Sequence, residues 1–214
     1  MILNSETEQS SQHQSQDNPH LMLTPEGVFV AFAQDKPSEE ALSLQALLAN
    51  KRSWLVRDWT DKYGHEWLDT FIDKGWVQRI NQGITAPNLP LDQFLPYVVA
   101  SLSGSRRAAI GNTEGFCLAR VGYSQQEADT LCVAGADLGE FLNRQRQRGW
   151  VIQEQAVSFF RHVDLLLPAT SFMFLWIDGN GFILVLEDEP LTNSRAFVEL
   201  IWAIKTSGLR FVQE

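Results

Sequence analysis

The hydrophobic positions of the chain change period along its length. After a stretch, 1–20, that is rich in Gln, Ser, Asn and Glu and has too little apolar surface to offset ordering entropy, the first apolar run is 21-LMLTPEGVFVAFAQ-34. It suits a short strand or a hairpin turning at Pro25-Glu26-Gly27. The polar 35-DKPSEE-40 reads as a linker. Helical spacing begins at Leu44, Leu47 and Leu48, continues through Leu55, Val56 and Trp59, and returns in Trp67, Leu68, Phe71 and Ile72 before Gly75. Residues 76–80 alternate as a strand, and Gln82-Gly83 turns. Three short helices closed by a strand outline a winged helix-turn-helix over 41–88. The two prolines of 84-ITAPNLPL-91 mark a boundary.

The remainder, 89–214, mixes the two periods. A helix is predicted over 92-DQFLPYVVASLSG-104, with Pro96 in its first turn and Gly104 at its end. Ala108-Ala109-Ile110 is a small apolar strand, 112–115 a turn, and Phe116 to Val121 a second strand. Ser124 with Glu127 forms a capping box that opens a long helix running to about Arg148. A strand is expected from Ala156 to Val163. Phe172–Ile177 and Phe182–Glu187 pair across the turn Asp178-Gly179-Asn180-Gly181. Asn193 or Ser194 caps a last helix ending at Gly208. The order helix, two strands, helix, three strands, helix predicts an α+β domain: a five-stranded antiparallel sheet with helices on its faces.

Composition narrows the function. The formal net charge is −9, which disfavours non-specific binding to nucleic acid or anionic membrane. The charge is uneven: residues 1–40 hold seven acidic side chains against Lys36 alone, so this segment is an acidic, polar tail able to hold one short strand. No apolar run approaches the ~20 residues of a membrane span, and the N-terminus lacks the pattern of a signal peptide. Cys117 and Cys132 lack metal-ligand spacing, and two reduced thiols in a cytoplasmic protein are expected ahead of a structural disulfide. Neither the four histidines nor Asp178-Gly179-Asn180-Gly181 has the spacing of a metal site. The expectation is therefore no cofactor, no metal and no enzymatic activity.

The texture of about 90–212 resembles the roadblock/dynein-light-chain family, whose sheet is of the longin-like kind. The likeness lies in 104-GSRRAAIGNTEGFCLA-119 after a leading helix, in the Ala- and Gly-rich helix that follows, and in the late 178-DGNGFILVL-186. Where the family's first hairpin carries Asp-Gly at its tip, Glu114-Gly115 stands here. The resemblance implies a protein-interaction scaffold that dimerises. In that arrangement the third strand pairs with its counterpart, and the second helices lie side by side. It further implies work with a Ras-like small GTPase.

Candidate dimer residues follow. Ala128, Cys132, Gly135 and Gly139 form a small-residue stripe on the long helix, and two helical glycines each cost roughly 1 kcal/mol relative to alanine. Close approach of a partner backbone, or of the chain's own sheet, would offset that. Val133 joins the candidate seam. Asp137, Glu140 and Arg144 are a candidate partner surface. In the strand 156-AVSFFRHVD-164, Phe159, Arg161 and Val163 belong to an edge that needs covering. The alternative function is a DNA-binding transcriptional regulator, with the roadblock-like half as dimerisation domain. Against it, the predicted recognition helix 65-HEWLDTFIDKGW-76 carries Glu66, Asp69 and Asp73, which repel phosphate.

Overall fold

The computed structural model describes residues 19–150, 156–163 and 165–207. Most of the polar N-terminal stretch, Asp164 and Gly208 lie outside the described residues.

The first element is a strand, β1 (His20–Leu23), which pairs antiparallel with β2 (Val77–Ile80). Residues 25–31 then form a helix, α1 (Pro25–Ala31), where a hairpin turn was expected. The reason is local: Thr24 accepts from Gly27 N–H at 3.1 Å, and Pro25 sits at the first helical position, where a missing donor costs nothing. The anticipated linker is short, because Ser38 caps α2 (Glu39–Ala46) through Ala41 N–H. Next come α3 (Val56–Tyr63) and α4 (His65–Asp73), joined by Gly64 alone at φ 94°. The three predicted helices and the strand after them are present. The wing is different, since β2 pairs with β1 from ahead of the helices rather than with a following strand.

The second half is α5 (Leu91–Ala100), β3 (Ala108–Asn112), β4 (Cys117–Val121), α6 (Gln125–Gln147), β5 (Ala156–Phe159), β6 (Thr170–Ile177), β7 (Asn180–Glu187) and α7 (Arg195–Ser207). The fold is α+β, with a five-stranded antiparallel sheet ordered β4-β3-β7-β6-β5. Pro96 lies in the second turn of α5, not the first. The β6–β7 turn is the two-residue Asp178-Gly179, with φ of 50° and 79°, the left-handed pair a tight hairpin requires.

Alternation along the strands separates two cores. Met173, Leu175, Phe182, Leu184 and Leu186 face α5 and α7. Ala109, Phe172, Ile183 and Val185 face α6. The first core does not stop at residue 88: Leu21, Phe32, Leu44, Trp59 and Phe71 belong to it as well. Polar and aromatic contacts cross the anticipated boundary. Trp202 Nε1 donates to Asn50 O at 2.8 Å, Trp176 N–H to Phe32 O at 2.9 Å, and Phe29 packs on Phe197 with ring centroids 5.3 Å apart. The N-terminal elements are thus the outer layer of the α5/α7 face.

Candidate functional site

α6 opens with the capping box the sequence predicts. Glu127 N–H donates to Ser124 Oγ at 3.3 Å, and Ser124 N–H to Glu127 Oε2 at 2.7 Å. Hydrogen bonds to the carboxylate from Ser124, its backbone N–H first, and then the Arg107 charge hold the Glu127 carboxyl below its ordinary range. From this fixed start the helix lays its small residues on its own sheet. Ala128 and Cys132 are fully buried among Ala109, Phe172, Ile183 and Val185. A Cβ on Gly135 would stand 2.7 Å from Ile183 Cγ2, and one on Gly139 3.4 Å from Phe174. The stripe Ala128, Cys132, Gly135, Gly139 therefore makes an intramolecular contact with the chain's own sheet. Small side chains here let α6 settle onto bulky Ile183 and the phenylalanines of β6.

The other predicted residues are at the surface. Val133 is exposed but lies over the β3–β4 turn, 3.2 Å from the position a Gly115 Cβ would take. Asp137, Glu140 and Arg144 are exposed, and Arg144 pairs with Glu140 at 3.0 Å. β5 ends at Phe159, earlier than expected. The Phe159 carbonyl accepts from Ala169 N–H at 2.7 Å, and the chain bends away over 161–163. Arg161 and Val163 are thus not strand residues. Arg161 pairs with Glu187 at 3.3 Å, and Val163 is fully exposed.

A second stripe on α6, absent from the sequence-based candidates, has the character of a contact surface. Val133 on the β3–β4 turn fixes one flank of the helix toward β4. The opposite flank carries Leu131, Ala134, Leu138 and Phe141 at helical spacing and so faces the β6–β5 side. Leu131 and Leu138 are half-buried against the α6-side core, and Phe141 is 43% exposed. On the same side, Val157 and Phe159 point to the α6 face, as their register partners Phe172 and Thr170 do. Phe159 stacks edge-on against Phe172 at 5.9 Å yet keeps 50% of its surface exposed. Beyond β5 no further strand pairs among the described residues. The bend that follows exposes Phe160, Val163, Leu165, Leu166 and Leu167.

The polar groups nearby form a structural network. Glu187 accepts from both Arg107 and Arg161, and the Glu187 hydrogen bond raises the Arg107 value. The Arg107 guanidinium lies 4.7 Å from the Tyr123 ring centre. Burial, then the Glu187 charge, pushes the Tyr123 phenol up to about 12. Among the described residues no group of three or more His, Cys, Asp or Glu could hold a metal ion, and no helix is long and apolar enough to cross a membrane. A cleft of about 320 Å³ lies between α6 and the tips of β6 and β7, walled by Gly139, Leu142, Phe174, Trp176 and Phe182. Comparison with known proteins gives no match: none among family models, curated proteins or solved structures.

Proposed function

We propose that the chain is a protein-interaction scaffold without catalytic activity, that it works as a homodimer, and that the dimer docks a Ras-like small GTPase. The observation that carries the dimer is the coincidence of two unpartnered features on one side of the molecule. Among the described residues no strand pairs with the outer edge of β5, and the Leu131/Leu138/Phe141 flank of α6 faces the same way. An apolar edge left open is an aggregation hazard, and two-fold pairing of β5 with a second β5 closes it while bringing the two α6 flanks together. The sheet order supports the same arrangement. Counted from β3, it runs second, first, fifth, fourth, third, leaving on the edge the strand that the roadblock resemblance expects to self-pair. The GTPase rests on that resemblance alone.

Sedimentation equilibrium of the full chain tests the dimer. The exposed half of each ring, against the 150–250 Å² an aromatic buries in full, is worth about 2 kcal/mol. Two-fold symmetry counts a substitution twice. Phe141→Asp or Phe159→Asp therefore weakens association about a thousandfold, whereas Val133→Asp, on the other flank, leaves it intact. A monomeric wild-type chain at high concentration ends the proposal. Co-purification with a GTP analogue and with GDP in parallel tests the second part, a small GTPase retained in one nucleotide state being the expected result. Retention of duplex DNA instead would favour the regulator, which the exposed Glu66, Asp69 and Asp73 of α4 oppose.

A further inference from the structure

The two cysteines come from different elements and meet at one spot. Cys117 begins β4 and is the register partner of Gly111 on β3. Cys132 descends from α6 onto that same glycine: a Cβ on Gly111 would lie 2.8 Å from Cys132 Sγ and 3.0 Å from its Cβ. Opposed residues of an antiparallel pair carry their Cβ atoms about 4.5–5.5 Å apart on one face, so the side chain missing at Gly111 leaves the space in which Cys132 sits beside Cys117.

A β-bulge makes this meeting happen. Ala119 pairs with Ile110 and faces the α5/α7 core. Regular alternation would turn Cys117 the same way. The register shifts between Ile110 and Gly111, with Leu118 as the extra residue. That shift turns Cys117 to the opposite face, where it packs with Cys132 in the α6-side core. Cys117 Sγ donates to the Ala119 carbonyl oxygen at 3.5 Å, and the interaction between the two thiols lowers the Cys117 value and, with burial, raises that of Cys132. Both are free thiols, Cys117 half-exposed and Cys132 buried.

We propose that Cys117 and Cys132 are a modification site, a dithiol that a low-molecular-weight disulfide converts to an internal disulfide. Cys117 loses its proton to water, and its thiolate attacks one sulfur of the small disulfide. The S–S bond breaks, and the first small thiolate leaves. With Cys117 now uncharged, its share in holding the proton on Cys132 is removed, and burial alone still opposes ionisation. Cys132 then loses its proton and attacks Cys117 Sγ, and the second small thiolate departs. Two protein thiols are oxidised, and one small disulfide is reduced to two thiols. The bond ties the third turn of α6 to β4, with the two Cβ atoms drawn to about 3.5–4.5 Å.

The test treats reduced full-length protein with glutathione disulfide, alkylates the remaining thiols, and measures intact mass. The expected wild-type product has no alkylatable thiol, is lighter by two hydrogens, runs as a single chain on a non-reducing gel, and reverts with dithiothreitol. Cys132→Ala is expected to stop at one glutathione on Cys117, and Cys117→Ala to remain unmodified while folded. Circular dichroism checks that each variant folds, and the wild-type product alone decides if they do not. A wild type that keeps a glutathione adduct, crosslinks between chains or resists modification overturns the proposal.

Discussion

Gly135 and Gly139 occupy the same face of α6 one turn apart, yet alanine should act on them with opposite sign. In a helix interior Ala is favoured over Gly by about 1 kcal/mol. At Gly139 the new methyl would meet Phe174 at 3.4 and 3.6 Å, ordinary contact, so the gain is kept. For a chain of this size that is a rise of about 2–4 °C in Tm. At Gly135 the methyl would stand 2.7 Å from Ile183 Cγ2 and 3.1 Å from Phe172 Cδ1, against an optimum near 3.5–4.0 Å between carbons. Ile183 is fully buried and stiff at χ1, so it cannot turn aside. Overpacking of this kind costs about 1–3 kcal/mol, which leaves Gly135→Ala destabilised by up to about 2 kcal/mol. Urea unfolding followed by circular dichroism, at one protein concentration because a dimer's stability depends on it, gives both midpoints. If the two variants shift the same way, the stripe does not rest on the sheet as described. If both also weaken self-association, the glycines are the seam after all.

Gly27→Ala should be the more damaging change, because its methyl would overlap the Trp76 carbonyl oxygen, which already accepts from Thr24 N–H at 3.0 Å. A loss of about 3 kcal/mol is expected, in a single transition seen alike by far- and near-ultraviolet circular dichroism. Two separated transitions would show that the N-terminal elements do not share the α5/α7 core. Tyr123 sets an alkaline limit. Its folded value of about 12 lies above the ordinary 10, so the phenol's contribution is complete below pH 10 and is lost as pH rises toward 12. Tyr123→Phe should flatten the stability profile over that window, and an unchanged profile refutes the assignment.

The second half of the fold was legible because each element signals itself locally. The Ser124/Glu127 box, the Asp178-Gly179 turn and the alternating apolar strands are short-range facts, and their order leaves few antiparallel arrangements. The misreadings are tertiary. Nothing within 21–34 says that β1 will find β2 more than fifty residues later, and once it does, Thr24 and Pro25 start a helix instead of a turn. The glycine stripe advertised close packing but not its partner, since sequence cannot say which side of α6 the sheet lies on. The half-buried flank, Leu131, Ala134, Leu138 and Phe141, has a helical period of its own in the sequence but is hard to tell from a broad core face. Arg161 and Val163 continue the strand's alternation in sequence. Only the Ala169–Phe159 hydrogen bond and the bend at 161–163 take them out of it.

The packing of the N-terminal elements constrains where any partner of the sheet can bind. Leu21, Phe32, Leu44 and Trp59 are buried in one core with α5 and α7, so that face of the molecule is already two layers deep and offers the sheet no further contact. At the opposite edge, β4 packs with α5, and Arg120 beside the turn at Tyr123 donates to its carbonyl oxygen at 2.8 Å, so charge and a local hydrogen bond blunt that edge. The β5 edge has neither protection. It carries no charge within the strand and leads into the run of exposed leucines. Pairing with a second copy, as proposed, would cover it. The substitutions at Phe141 and Phe159 therefore probe the side of the sheet that the described residues leave open.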